Sequence, residues 1–171
     1  PDIAVVDIDR KAFSAAQDQK WQRTDTAKLV EAIAADKPAI IAFDLVFSTE
    51  CDNRNAANQA LATALAKAPT LLGFLASDVE GPSPHPLPPL AIAKSLTVPE
   101  IWFLDGAETA CLIFQNAAAS TGASFLIGDD DSHVRRVQAF SIMGDDPFPA
   151  LGLEAVRRYL KVKTPILGGT P

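Results

Sequence analysis

The stretch AIIAFDLVF (residues 39–47) decides the fold. It is apolar nearly throughout, with Asp44 its one charge, and it does not alternate. A strand wet on one side alternates; a near-continuous run reads as a strand buried on both sheet faces. Helices must then cover both faces. The flanks agree. Upstream, TDTAKLVEAIAAD puts Leu29, Val30, Ile33 and Ala34 at helical spacing behind a Thr24 or Asp25 cap, and Lys37-Pro38 ends it. Downstream, the loop STECDNRN leads to a helix over 56–67, stopped by Pro69, and then to a third apolar run, TLLGFLA (70–76).

The same pattern extends outward. IAVVDID (3–9) reads as a buried strand, and Asp9 caps a short helix, RKAFSAAQ. CLIFQNAAAS (111–120) reads as helix, ASFLI (123–127) as a strand, and GDDDS (128–132) as a tight acidic turn. VRRVQAFSIM (134–143) reads as a strand with one wetter face, antiparallel to its neighbour. GDDPFP is a turn and ALGLEAVRRYL (150–160) the last helix. In the loop 77–90, Pro82, Pro84, Pro86, Pro88 and Pro89 leave no room for a regular element. Residues 91–108 mix helix with a short strand around Ile101-Trp102-Phe103. The sum is α/β: a single domain over 1–171 with a mixed, mostly parallel sheet of about five or six strands and helices on both faces.

Composition narrows the function. With 15 basic and 21 acidic residues the net charge is −6, which disfavours a nucleic-acid backbone as partner. Cys51 and Cys111 are too few for a disulfide scaffold. One bridge in an oxidising compartment and two buried thiols in a reducing one both fit.

Asp7 and Asp9 lie two apart at the end of a predicted strand, so they share a face. Asp44 ends a neighbouring strand. Ligand sites in open α/β sheets form at such carboxyl ends. These acids, with Asp131 in the acidic turn, make one half of a candidate site. Arg23, beside Trp21 and ahead of a helix, and the pair Arg135-Arg136 make the other half. Arginines there either pair with the acids or clamp an anion. Hydrophobic-Asp-x-Asp also resembles the opening of haloacid-dehalogenase phosphatases, so a magnesium-dependent hydrolase using Asp7 is one alternative. A ligand-free dimerisation or spacer module is another. Lys11 stands where the phosphatase pattern has Thr or Val. His85 and His133 share no metal-ligand spacing and read as surface residues. There is no G-x-S-x-G, no G-x-G-x-x-G and no Walker loop. No cofactor and no resident metal are expected.

Five segments in order carry a resemblance. VVDIDRKAF, KWQRTDTAKLVEAI, PAIIAFDLVFSTE, TGASFLIGDDDSHVRRVQAF and PFPALGLEAVRRYL resemble the CHASE-two family. The name stands for cyclase- and histidine-kinase-associated sensory extracellular domain, second type. Asp7 and Asp9 fall on its first motif, Trp21 and Arg23 on its "W-P-W-x-R" loop, and Asp44 and Phe47 on "I-x-F-D-x-x-F". Asp129, Asp131, Arg135 and Arg136 fall on "D-x-D-G-x-x-R-R-x-P". Ser132-His133 replaces that motif's Gly, and 91–110 resembles an insertion. The resemblance implies a periplasmic, non-enzymatic input domain of a bacterial membrane receptor. It would bind an unknown small-molecule stimulus, form a homodimer, and sit beside membrane helices that lead to a cytoplasmic output domain such as a cyclase or kinase. The start at Pro1 and the tail KVKTPILGGTP (161–171) fit a piece lying between membrane segments.

Overall fold

Helix signals in the sequence become helices where side-chain caps hold their ends. In the computed structural model, Asp9 accepts from the backbone of Lys11 and Ala12 at 2.9 and 3.0 Å, starting α1 (Arg10–Ala15). The Gln22 N–H donates to Asp25 at 3.0 Å at the head of α2 (Arg23–Ala35). Asn55 caps α3 (Ala56–Leu65) by accepting from Ala57 at 2.8 Å. The structure describes residues 3–16, 20–79, 83–85, 91–92, 102–126, 131, 133–135, 137–163 and 166–167.

The strand AIIAFDLVF contributes β1 (Ile41–Phe43), which pairs parallel with β2 (Thr70–Ser77). On the other edge of β2 lies β6 (Ser120–Ala123), also parallel, reached through α4 (Leu112–Ala117). The end of β2 pairs antiparallel with β5 (Gly106–Glu108). These strands make one mixed, mostly parallel four-stranded sheet. A three-stranded sheet joins β4 (Trp102–Leu104), β7 (Phe140–Met143) and β8 (Asp146–Pro149). Two short strands, β3 (Ala91–Ile92) and β9 (Ile166–Leu167), pair parallel. The last helix is α5 (Leu151–Tyr159).

Helices do cover both faces. Leu72 packs with Val30 of α2, Leu61 and Leu65 of α3 and Phe114 of α4 in the main core. Gly73 and Gly122 point to the opposite face, because neighbouring residues of a strand alternate. A Cβ on Gly122 would lie 2.6 Å from the Leu151 Cα, so α5 starts directly on that face. A second core joins Phe74 to Met143 and Phe148 of the small sheet.

Four expectations are corrected. IAVVDID is not a strand: residues 3–9 make no ladder among the described residues, and Ile3 and Val5 are 81% and 90% exposed. Apolar, β-branched composition is a local property; a ladder needs a partner edge, and the segment does not take one. The fourth strand is STGA, not ASFLI: residues 120–123 pair with β2, and Gly122 in it is the position where a side chain would collide with the start of α5. The strand at 134–143 is regular only at 140–143, and its antiparallel neighbour is β8. The DPFP segment is that edge strand rather than a turn. Pro147 and Pro149 oppose Ile142 and Phe140, while the 2.9 Å bond from the Ala150 N–H to the Ala139 carbonyl sets the bonding pairs at the alternate positions. Both missing N–H groups therefore face away from β7, the one way proline is tolerated in a strand. The turn proper is Gly144-Asp145, with Gly144 at φ +59°. Of the proline loop, residues 80–82 and 86–90 lie outside the described residues, as do 93–101 of the expected insertion, the acidic turn at 127–130, and Arg136.

Candidate functional site

Arg23 comes to rest among carbonyl groups, not carboxylates. Its Nη1 donates to the Glu50 carbonyl at 2.8 Å and to Asn58 Oδ1 at 2.6 Å, and its Nη2 donates to the Thr49 carbonyl. The guanidinium carbon stands 5.2 Å from the centre of the Phe114 ring. Asn58, fully buried, returns Nδ2 bonds to the Glu50 and Asp52 carbonyls at 2.7 and 2.8 Å. The loop after β1 is thus clamped by one Arg and one Asn. Cys51 in that loop is bonded to Cys111, with 5.3 Å between their Cα atoms. The Cys111 N–H donates to the Phe47 carbonyl at 2.8 Å, and the Phe47 ring meets Phe114 edge-on at 5.7 Å.

The remaining predicted site residues lie apart. Asp7 is exposed on the unpaired segment and Asp9 is consumed as the α1 cap. An Asp-x-Asp nucleophile at a strand end therefore has no strand to stand on. Trp21 is half-buried; its Nε1 donates to Thr26 Oγ1 at 2.9 Å and its ring lies 6.5 Å from Phe13. Arg135 grips Asp131 with two bonds of 2.8 and 2.7 Å on an exposed surface. That grip, with the His133 backbone N–H, holds the Asp131 carboxyl below its ordinary 3.8. Among the described residues no three His, Cys, Asp or Glu side chains cluster as metal ligands.

Asp44 alone stands at a cavity. A cleft of about 490 Å³ opens at the carboxyl ends of β1 and β6, where a mostly parallel sheet offers its ligand position. Asp44 and Ser124 form one wall, and the Ser124 hydroxyl donates to the Asp44 carboxylate. Leu151 and Gly152, at the start of α5, border it too, and that start has no side-chain cap. The positive end of the helix dipole therefore faces a carboxylate across the cleft. Ser141 completes the polar set. It is 1% exposed, lines the cleft, and its hydroxyl has no hydrogen-bond partner among the described residues. Since no fully enclosed side-chain oxygen among the described residues lacks a partner, the Ser141 Oγ keeps access to the cleft. Phe125, Leu126 and Val137 supply apolar lining.

Ser124, Ser141 and Gly152 escaped the sequence reading. One signal was present for Ser141: it alternates with Met143 on the buried side of β7, where a hydroxyl needs a reason.

The structure offers a sheet-end cleft, a bridged and clamped loop, and, among the described residues, no helix long and apolar enough to cross a membrane. No curated protein and no solved structure matches the chain. A family model does, the CHASE2 domain, over residues 1–170. The match runs through every element described above, and the chain belongs to this family of extracellular sensory domains of signalling receptors.

Proposed function

We propose that the chain is the periplasmic input module of a bacterial membrane receptor and that its stimulus binds in the cleft between β1, β6 and the start of α5. The observation that carries this is the cleft itself, which opens at the carboxyl ends of parallel strands and is lined by Asp44, Ser124 and Ser141. The cleft presents donors at Ser141 and the α5 start and an acceptor at Asp44. It suits a small polar molecule that bears both acceptor and donor groups. A ligand changes a two-state equilibrium only through unequal affinity for the two states. A helix whose N-terminus touches the ligand can tilt as a unit, and α5 is such a helix. Output through membrane helices to a cytoplasmic cyclase or kinase, acting on a homodimer, completes the reading. A spacer module would need no cleft.

The test is a thermal-shift panel of free amino acids, dicarboxylates and monosaccharides, run on the parent chain and on two variants. Ser141→Ala removes the hydroxyl and adds no atom. Gly152→Phe puts a ring at the cleft mouth, where a Cβ meets nothing within 4 Å. A compound that raises the parent Tm and loses its effect in both variants supports the proposal. A compound that stabilises all three chains equally, or a panel with no effect at all, overturns it.

A further inference from the structure

The other end of α5 carries a second cleft of opposite character. A groove of about 380 Å³ runs between the N-terminal ends of β1 and β2 and the end of α5. Its floor is apolar, with Ala39, Ile40, Pro69 and Val162. Its rim is cationic, and among the described residues no carboxylate lines it. Arg157 is taken up by Glu154, but Arg158, Lys161 and Lys163 have no ion pair among the described residues. In a chain of net charge −6 this concentration is anomalous. Beside the rim, Tyr159 and Leu160 are 63% and 62% exposed.

The turn adds an independent sign. The Val162 N–H donates to the Arg157 carbonyl at 3.0 Å and the Lys161 N–H to the Arg158 carbonyl at 3.1 Å, which is a Schellman ending. Its left-handed position, φ +56°, is filled by Lys161 rather than Gly. Lys37, at φ 53°, holds the matching position at the end of α2, two residues before the groove wall at Ala39. Glycine is the residue such positions favour. Lysines fill both of these helix-end positions, one beside the groove and one on its rim, while Glu50 is the other non-glycine residue at such a φ among the described residues.

We infer that this edge docks against the phosphate headgroups of an anionic phospholipid surface. Exposed Tyr and Leu beside snorkelling Lys and Arg, over an apolar floor, match the chemistry of the membrane–water interface. A free phosphate would need only the cations, not the exposed apolar pair. The membrane's presence rests on the receptor reading above; the binding itself does not involve the first cleft, so the two can fail separately.

The experiment is co-sedimentation of the 171-residue chain with vesicles of equal phosphatidylglycerol and phosphatidylcholine, and with phosphatidylcholine alone. Binding is expected only to the anionic vesicles, and it should weaken with salt. Neutralising Arg158, Lys161 and Lys163 together, each to Gln, lowers partitioning on the order of a hundredfold. Lys161→Gly is the variant that cannot be blamed on misfolding: it raises Tm while weakening partitioning about fivefold. Equal binding to neutral vesicles, or a triple variant that binds like the parent, overturns the inference. So does release by millimolar inorganic phosphate at matched ionic strength, which marks a small-anion site. A dimer abolished by Leu160→Glu with vesicle binding unchanged would assign the apolar pair to self-association and overturn it too.

Discussion

Cys51 is bonded to Cys111 across 60 residues of sequence, tying the loop after β1 to the residue that opens α4. The bridge lies beside Arg23 and Phe47, so covalent and hydrogen-bonded restraints act on one loop. It also suits an oxidising compartment outside the cytoplasm, as the family implies. Closing a loop of that length is worth ~4 kcal/mol in the chain-entropy model. Urea unfolding with and without reductant should show a loss of that order. Denaturing, non-reducing thiol labelling should find no free cysteine.

Arg23 acts on the same loop by a different means. A guanidinium can reach two carbonyls and an amide at once, and an ammonium cannot match that fork. Hydrogen bonds to charged groups contribute about 1.5–3 kcal/mol each. Arg23→Lys should therefore lose roughly 2–3 kcal/mol, and Arg23→Ala more. Asn58→Ala should be non-additive with either, since both side chains bond the Glu50 carbonyl. Urea midpoints for the double-mutant cycle read this directly, and additive losses would mean the clamp is not a unit.

Much of this architecture was legible in the chain. The unbroken apolar run of 39–47 and the helical spacing of Leu29, Val30 and Ile33 signalled a sheet covered by helices, because burial imposes period on sequence. The reading failed where pairing or packing overrode propensity. IAVVDID has strand composition but no partner edge. STGA has poor strand composition, yet it pairs with β2, and its Gly122 leaves room for the start of α5. DPFP looks like a turn until one sees that its two prolines alternate outward.

The site was less legible. Residue type singled out Arg23 and Asp44, but not what they touch. Carbonyl partners leave no mark in sequence, so Arg23 looked like a partner for acids. Asp44 borders the cleft with two serines and a glycine, which meet only because of where three separate elements end.

Glu154 and Arg157 form the most deeply buried ion pair among the described residues, with bonds of 2.6 and 2.7 Å. Arg157 also holds the Val162 carbonyl at 2.7 Å, so it anchors the chain beyond α5. Pairing with Glu154 raises the Arg157 pKa further above its ordinary value, keeping it charged at every working pH. Glu154→Gln should cost about 3–5 kcal/mol by stranding a buried charge. A Glu154→Leu, Arg157→Met double variant should cost less than the single change, while hydrogen exchange at Val162 accelerates. A double variant worse than Glu154→Gln would argue against stranded charge as the cause.

Asp131 gives a pH prediction with a fixed sign. Its folded pKa is lowered, first by Arg135, so the pair stabilises the folded chain above the ordinary 3.8 and fades as pH falls through the lower folded value. The contribution of this group should be full and independent of pH between neutral pH and about pH 5, with a salt-sensitive loss in stronger acid. A carboxyl NMR titration should find the Asp131 midpoint below 3.8, returning toward it in Arg135→Gln.

Two glycines of the cleft region should respond in opposite directions to the same substitution. A Cβ at Gly122 would sit 2.6 Å from the Leu151 Cα and 2.9 Å from its nitrogen, both backbone atoms that cannot step aside. Gly122→Ala must push α5 off the sheet, a backbone shift that typically costs about 1–3 kcal/mol. Gly152, one residue beyond that contact, meets nothing within 4 Å. Gly152→Ala should stabilise by about 0.4–1 kcal/mol through a less mobile unfolded chain and better helix propensity. Thermal melts of the two variants would separate close packing from local flexibility. A chain that tolerates Ala at both sites would mean α5 is free to slide on β6. The helix would then be a loose lever, and the cleft at its start would have no fixed shape to recognise anything.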